Sequence, residues 1–99
     1  MHQLTAQHLK NWIDKKKDFV LIDIREPRER AAYNIGGEHI PMGELMSRLA
    51  EIPKDKDVVL YCEKGIRSVI SIQRLENHGF HNLYNLNGGI NAWRDEMKD

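Results

Sequence analysis

The sequence predicts an α/β fold in which a mainly parallel sheet carries helices on both faces. Three observations predict it. Two apolar runs, "FVLIDI" (Phe19 to Ile24) and "VVLYC" (Val58 to Cys62), are short, rich in β-branched or aromatic residues, and do not alternate with polar positions. Strands buried on both faces of a parallel sheet read this way. A third, weaker run, "NLYNLN" (Asn82 to Asn87), is anchored by Leu83 and Leu86. Residues at helical spacing fill the intervals between the runs, and strands alternating with helices give a layered α/β sheet.

In chain order, a marginal strand near Gln3-Leu4 comes first. Thr5 then N-caps a helix whose Leu9, Trp12 and Ile13 share one face. After the Phe19 to Ile24 strand, "EPRERAAY" holds a short helix with Pro27 near its first turn. Gly36-Gly37 marks a turn before a second marginal strand near His39-Ile40. Met42, Leu45, Met46 and Leu49 follow i, i+3, i+4, i+7 spacing and predict a helix that Pro53 stops. Beyond the Val58 to Cys62 strand, Val69, Ile72 and Leu75 line one face of a helix, with Gly79 available to end it. The third run follows, and Gly88-Gly89 leads into a last helix through Ile90, Trp93 and Met97.

Ninety-nine residues make one domain, 1–99, with no room for two independent cores. Lys plus Arg and Asp plus Glu number 15 each, so the formal charge is zero and nothing resembles the footprint of a nucleic-acid binder. Lys15-Lys16-Lys17, followed by Asp18, reads as a solvated helix end. The opening "MHQLTAQHLK" has no apolar core of a signal segment, and no run reaches membrane-spanning length. The single cysteine excludes an intramolecular disulfide and points to a reducing compartment. A cytoplasmic monomer without membrane or nucleic-acid partners is the expectation. Five scattered histidines and one cysteine give no zinc-site spacing, so no metal and no organic cofactor is expected.

That cysteine lies in "CEKGIRS", Cys62 to Ser68, between a strand and a helix. Open α/β sheets place their ligand sites at such carboxyl strand ends. Backbone N–H groups of a tight turn can converge into an anion-binding nest, and a helix start adds unpaired donors and a positive dipole end. A thiolate in that setting is a nucleophile. Gly65 admits close backbone approach, and Lys64 and Arg67 add positive charge for an anionic substrate. Glu63 is expected to oppose both the thiolate and an anionic substrate. The competing reading makes Cys62 simply the last buried residue of its strand, as free cysteines often are.

Three segments together resemble the rhodanese family, and the resemblance covers nearly the whole chain. "LIDIREPRERAAYNIGGEHIP" (Leu21 to Pro41) resembles the family's Asp-x-Arg segment with a nearby acid and a Gly-His-Ile-Pro-like stretch. "YCEKGIRS" resembles its active-site loop, Cys-x-x-Gly-x-Arg-Ser, and "NLNGGINAW" (Asn85 to Trp93) its closing Leu-x-Gly-Gly-x-x-x-Trp segment. The resemblance implies a five-stranded, mainly parallel sheet flanked by helices. It also implies sulfurtransferase chemistry through a persulfide on Cys62. Substrate-binding roles follow for Glu63, Lys64, Gly65, Ile66 and Arg67, largely through their amides. The implied partners are a small sulfur donor, such as thiosulfate or a persulfide, and a thiol, cyanide or protein acceptor. Asp23 and Arg25 match positions near the site; a structural ion pair is the reading adopted for Asp23, and a packing role for His39.

Two other functions compete. Phosphatases and arsenate reductases of related fold resemble Cys-x5-Arg, whereas here only four residues separate Cys62 from Arg67. The shorter loop makes a tighter nest, suited to one terminal sulfur. A non-enzymatic sulfur-relay or regulatory module is the other, and retention of Cys62, Gly65 and Arg67 argues against a module that has lost its chemistry.

Overall fold

The computed structural model describes residues 1–98. Five strands, β1 (His2–Leu4), β2 (Val20–Asp23), β3 (Glu38–His39), β4 (Val58–Tyr61) and β5 (Leu83–Leu86), form one sheet in the order β1-β5-β4-β2-β3. Every pairing is parallel. The sheet is therefore wholly parallel, and both marginal segments join it as edge strands. Helices α1 (Ala6–Asp14), α2 (Pro27–Ala32), α3 (Ile66–Glu76) and α4 (Gly89–Glu96) occupy the intervals.

The alternation of side chains along a strand divides the core in two. Ile22, Val58, Leu60 and Cys62 face one side, where Ile72 and Leu75 of α3 and Phe80 cover them. Leu21, Val59, Tyr61 and Leu86 face the other, packed with Leu9 of α1 and Ile90 of α4. This two-sided burial explains why β4 carries no charged residue and β2 none before Asp23. It also fixes the Cys62 side chain on the α3 face.

The helix starts follow local chemistry. The Thr5 side chain accepts a hydrogen bond from the His8 amide at 3.1 Å, satisfying one of the free donors of α1. At α2, Glu26 and Glu29 form a reciprocal capping box, with Pro27 in the first turn. The buried face of α1 is Ala6 and Leu9, and Trp12 packs edge-on against Phe19 and Tyr84. Ile13, expected on that face, is exposed at its rim.

The helix expected from Met42 to Leu49 is a correction. Two 3-10 turns, Met42–Ser47 and Leu49–Glu51, stand there instead. Arg48, at φ −125°, interrupts the segment, and Gly43 near its start favours no helix. Three-residue periodicity buries Leu45 with Met42 above it and leaves Met46 exposed. The apolar spacing satisfied either geometry; burial of a single residue did not require the longer one.

Candidate active site

Cys62 directly follows β4, the central strand, and its side chain is almost wholly enclosed. The chain turns over Glu63 and Lys64 and enters α3 through Gly65, whose φ of +89° suits glycine. The turn brings the Gly65 amide to 3.1 Å from Cys62 Sγ and the Ser68 amide to 3.4 Å. Ser68 Oγ stands 3.4 Å from the same sulfur. Among the described residues these are the polar contacts of the thiol. The amides of Ile66 and Arg67 lie in the first turn of α3, where no intrahelical acceptor exists. They remain available to an anion arriving at the sulfur.

The second layer consists of buried polar side chains. Ser68 Oγ donates to Asn85 Oδ1, and Asn85 Nδ2 donates to Gln3 Oε1 at 3.0 Å. Ser68 and Asn85 are both buried, so this chain orients the hydroxyl beside the sulfur. Beneath the loop lies the β5–α4 turn. Amides of Ile90 and Asn91 donate to the carbonyls of Cys62 and Glu63 at 2.9 and 3.0 Å. A Cβ on Gly89 would stand 2.6 Å from the Cys62 carbonyl oxygen and 2.5 Å from that of Glu63. The glycine is what lets the two turns meet.

Above the sulfur opens a pocket of about 400 Å³, lined by Glu29, Cys62, Glu63, Lys64, Ile66 and Arg67. Its carboxylates are paired. Both terminal nitrogens of Arg67 donate to the two carboxylate oxygens of Glu29 at 2.8 Å, a bidentate fork. These hydrogen bonds hold the Glu29 carboxyl down at about 2, against a smaller opposing effect of burial. Glu63 lies between two arginines, Arg25 at 3.4 Å and Arg94 at 3.2 Å. Its expected opposition to an anionic sulfur is thus countered by two neighbouring cations. Lys64 is exposed and unpaired among the described residues.

Beside this pocket, at the end of β2, sits an ion cluster built on two buried side chains. Asp23 and Arg25 are both fully buried. Arg25 donates to Asp23 through Nε at 3.0 Å and a terminal nitrogen at 2.9 Å, and to the Tyr33 carbonyl at 2.7 Å. Arg30 adds a contact to Asp23 at 3.3 Å. Burial alone would raise the Asp23 carboxyl, but the hydrogen bonds and charge of Arg25 outweigh it and hold the group below its usual range. Tyr61, whose ring lies under the Arg25 guanidinium, donates its hydroxyl to the Gly36 carbonyl; burial pushes that phenol up to about 12. His39 Nε2 bonds the Arg25 carbonyl oxygen at 2.7 Å, away from the sulfur.

Of the residues singled out from the sequence, Cys62, Glu63, Lys64, Ile66 and Arg67 line one pocket. Gly65 lies beneath it with its amide on the sulfur. Among positions 63 to 67, the Gly65 amide is the one that donates to Sγ itself. The sequence reading assigned no role to Glu29, Ser68, Asn85 and Arg94. Ser68 was reachable from its place at N3 of the helix after the cysteine; the others lie on separate elements.

A family model described as the rhodanese-like domain matches residues 5–96. The chain belongs to the rhodanese-like family. It is 37% identical over 94 residues to a sulfurtransferase of Allochromatium vinosum, covering 94% of this chain and 88% of the relative. It is 34% identical over 98 residues to the probable adenylyltransferase/sulfurtransferase MoeZ of Mycobacterium tuberculosis. That match covers 96% of this chain but only 25% of the relative, so the chain spans about a quarter of that protein's length. The crystal structure of a rhodanese-like domain protein from Staphylococcus aureus superposes with a TM-score of 0.87 at 30% identity, covering 100% and 97% of the two chains. The five-stranded parallel sheet is thus the rhodanese-like fold, and the family includes proteins named sulfurtransferases. Among the described residues no helix is long and apolar enough to cross a membrane.

Proposed function

We propose that this protein is a sulfurtransferase that carries sulfane sulfur as a persulfide on Cys62. The observation that carries the reading is the sulfur's position at a pocket floor, with the Gly65 and Ser68 amides donating to it. The Cys62 thiolate attacks the outer sulfur of thiosulfate, an S–S bond forms to Sγ, and the donor's S–S bond breaks with its electron pair leaving on sulfite. The persulfide's terminal sulfur then carries the negative charge at the start of α3, where the Ile66 and Arg67 amides have no intrahelical acceptor. An acceptor such as cyanide or a thiolate attacks that sulfur, leaves as thiocyanate or a new persulfide, and returns Cys62 to the thiolate. Two half-reactions through one covalent intermediate give ping-pong kinetics. The lone free cysteine favours a reducing compartment such as the cytoplasm.

Sulfurtransferase names among the relatives support this reading. Phosphoryl transfer is disfavoured by two features. The loop is one residue short of Cys-x5-Arg, and the Arg67 fork that would clamp a phosphoryl group is filled by Glu29. Intact-mass measurement tests the proposal. Incubation with thiosulfate or cysteine persulfide should add the mass of one sulfur atom, lost again on reduction. Cys62→Ser should gain none and form no thiocyanate from cyanide. A serine variant as active as the native protein, or Cys62-dependent hydrolysis of an aryl phosphate, would remove the basis for the assignment.

A further inference from the structure

Around the Cys62 pocket, each carboxylate already faces a guanidinium. Arg67 is held by Glu29 in a bidentate fork, and Glu63 by Arg25 and Arg94. Lys64 is the one pocket cation left without an acid among the described residues. A dianionic donor needs more than one free positive group, because its sulfonate oxygens must be bound while its outer sulfur meets Sγ. The natural fork for that sulfonate, Arg67, is occupied by a carboxylate of the chain itself.

We propose that Glu29 is a specificity-determining residue that biases this site against thiosulfate and toward alkyl persulfides, donors with at most one negative charge at the reacting end. This rests on the reading of Cys62 as a persulfide carrier. Three observations carry it. First, Glu29 is held independently of Arg67: its Oε1 also accepts from the Glu26 amide at 3.0 Å in the cap of α2. A tethered anion competes at a high effective concentration with a free one. Second, the Glu29 carboxyl titrates at about 2, so it stays ionised and in place across the working pH range of enzymes. Third, Ile66 is 64% exposed at the pocket wall, an apolar surface left uncovered among the described residues. The carbon body of an alkyl persulfide can cover it, whereas thiosulfate has none.

The favoured loading step balances as follows. The Cys62 thiolate attacks the outer sulfur of RS–SH, the new S–S bond forms to Sγ, and the donor's S–S bond breaks. The electron pair leaves on the RS thiolate, and the proton stays on the transferred sulfur. No second anionic group has to be housed, and Lys64 can meet a single negative charge on the donor.

The test compares thiosulfate with cysteine persulfide generated in situ, using the native protein and Glu29→Gln. Glutamine keeps an oxygen for the Glu26 amide but gives up the charge that holds Arg67. In native protein, kcat/KM should favour the persulfide. In Glu29→Gln the thiosulfate-to-persulfide ratio of kcat/KM should rise about tenfold, as expected for one charge-assisted interaction made available, with most of the gain in the KM for thiosulfate. A readout independent of turnover is protection of Cys62 from iodoacetamide by sulfate. Sulfate should protect the variant at concentrations that leave the native thiol unprotected. An unchanged ratio, or native protein protected by sulfate as well as the variant, overturns the role of Glu29. If neither donor loads Cys62 in either protein, the persulfide reading itself falls, and with it the inference. Should the variant not fold, the native donor ratio and the native sulfate response still decide, since a thiosulfate preference or strong sulfate protection contradicts an occupied fork.

Discussion

The carboxyl ends of β2 and β4 lie side by side, with Asp23 and Tyr61 paired in register, yet they do opposite things. At β2 the strand ends on a buried carboxylate whose donors are all supplied by the chain: Arg25, Arg30 and the Arg25 amide. At β4 it ends on a buried sulfur that receives two amides and faces a pocket. Both positions are the kind where an open sheet places a ligand. The difference is saturation. A strand end whose polar groups are fully satisfied becomes a structural lock, whereas one with donors left over becomes a site. Glu63 and Glu29 join the halves, since each lines the pocket while bonding an arginine.

The sharpest way to break this contrast is Arg25→Leu. It removes the chief partner of Asp23 and leaves a buried carboxylate with only Arg30 nearby. Loss of one partner from a buried pair costs about 3–5 kcal/mol, against total stabilities of roughly 5–15 kcal/mol for such a domain. Urea unfolding should report a loss in that range, with Asp23→Asn/Arg25→Leu recovering part of it because no charge is stranded. A loss under about 1 kcal/mol would mean that the cluster is not the lock described here. Glu63 would also lose a neighbour, so sulfur loading should suffer secondarily, in proportion to the folded fraction.

Ser68→Ala probes the other half. The substitution keeps the amide on Sγ but removes the hydroxyl that satisfies Asn85 Oδ1. An unsatisfied buried acceptor costs about 1–3 kcal/mol, so the stability loss should be smaller than for Arg25→Leu. Loading of Cys62 should slow several-fold without vanishing, because the main-chain donors stay. Complete loss of loading in a folded Ser68→Ala protein would shift the chemistry from backbone to hydroxyl. Retained stability would show that the Gln3–Asn85–Ser68 chain carries no weight.

How much of this was legible in the sequence follows from where each interaction lies along the chain. β2 and β4 were legible because burial on both faces leaves β4 without a charged residue and β2 without one before Asp23 at its end. The Cys62 loop was legible because its parts are adjacent: cysteine, glycine and helix start lie within seven residues, "CEKGIRS". Its electrostatics were not. Glu63 reads in the sequence as an acid set against the thiolate and the loop cations, but its partners Arg25 and Arg94 lie 38 and 31 residues away. Arg67 reads as a free cation until α2 delivers Glu29, also 38 residues distant. Charges in a one-dimensional window have signs but no partners, and pairing depends on which helix crosses which strand end. The Met42 to Leu49 segment failed for a different reason. Its apolar spacing fits 3.6 or 3 residues per turn, and only the fold distinguishes them.

The smallest effect concerns the Glu29–Arg67 fork, the partner of the Glu63–Arg25 contact in joining the halves. Because Arg67 holds the folded carboxyl at about 2, below its ordinary range near ~4.3, the fork adds stability that is fully present above the unfolded value. That contribution is lost as pH falls from there through about 2. Both side chains are partly open to solvent, so screening limits the effect to ~1 kcal/mol or less, well below what the full shift would suggest. Native protein should therefore lose slightly more stability than Glu29→Gln between pH 5 and 2, a window estimated as roughly that over which paired carboxylates protonate. High salt should narrow the gap. Asp23 titrates in the same direction but is enclosed, so its share should persist in salt and appear equally in both proteins. Identical acid profiles at low salt would show that the fork is energetically idle. Glu29 would then be no barrier to an incoming anion, and the locked and open strand ends would be less separate than their geometry implies.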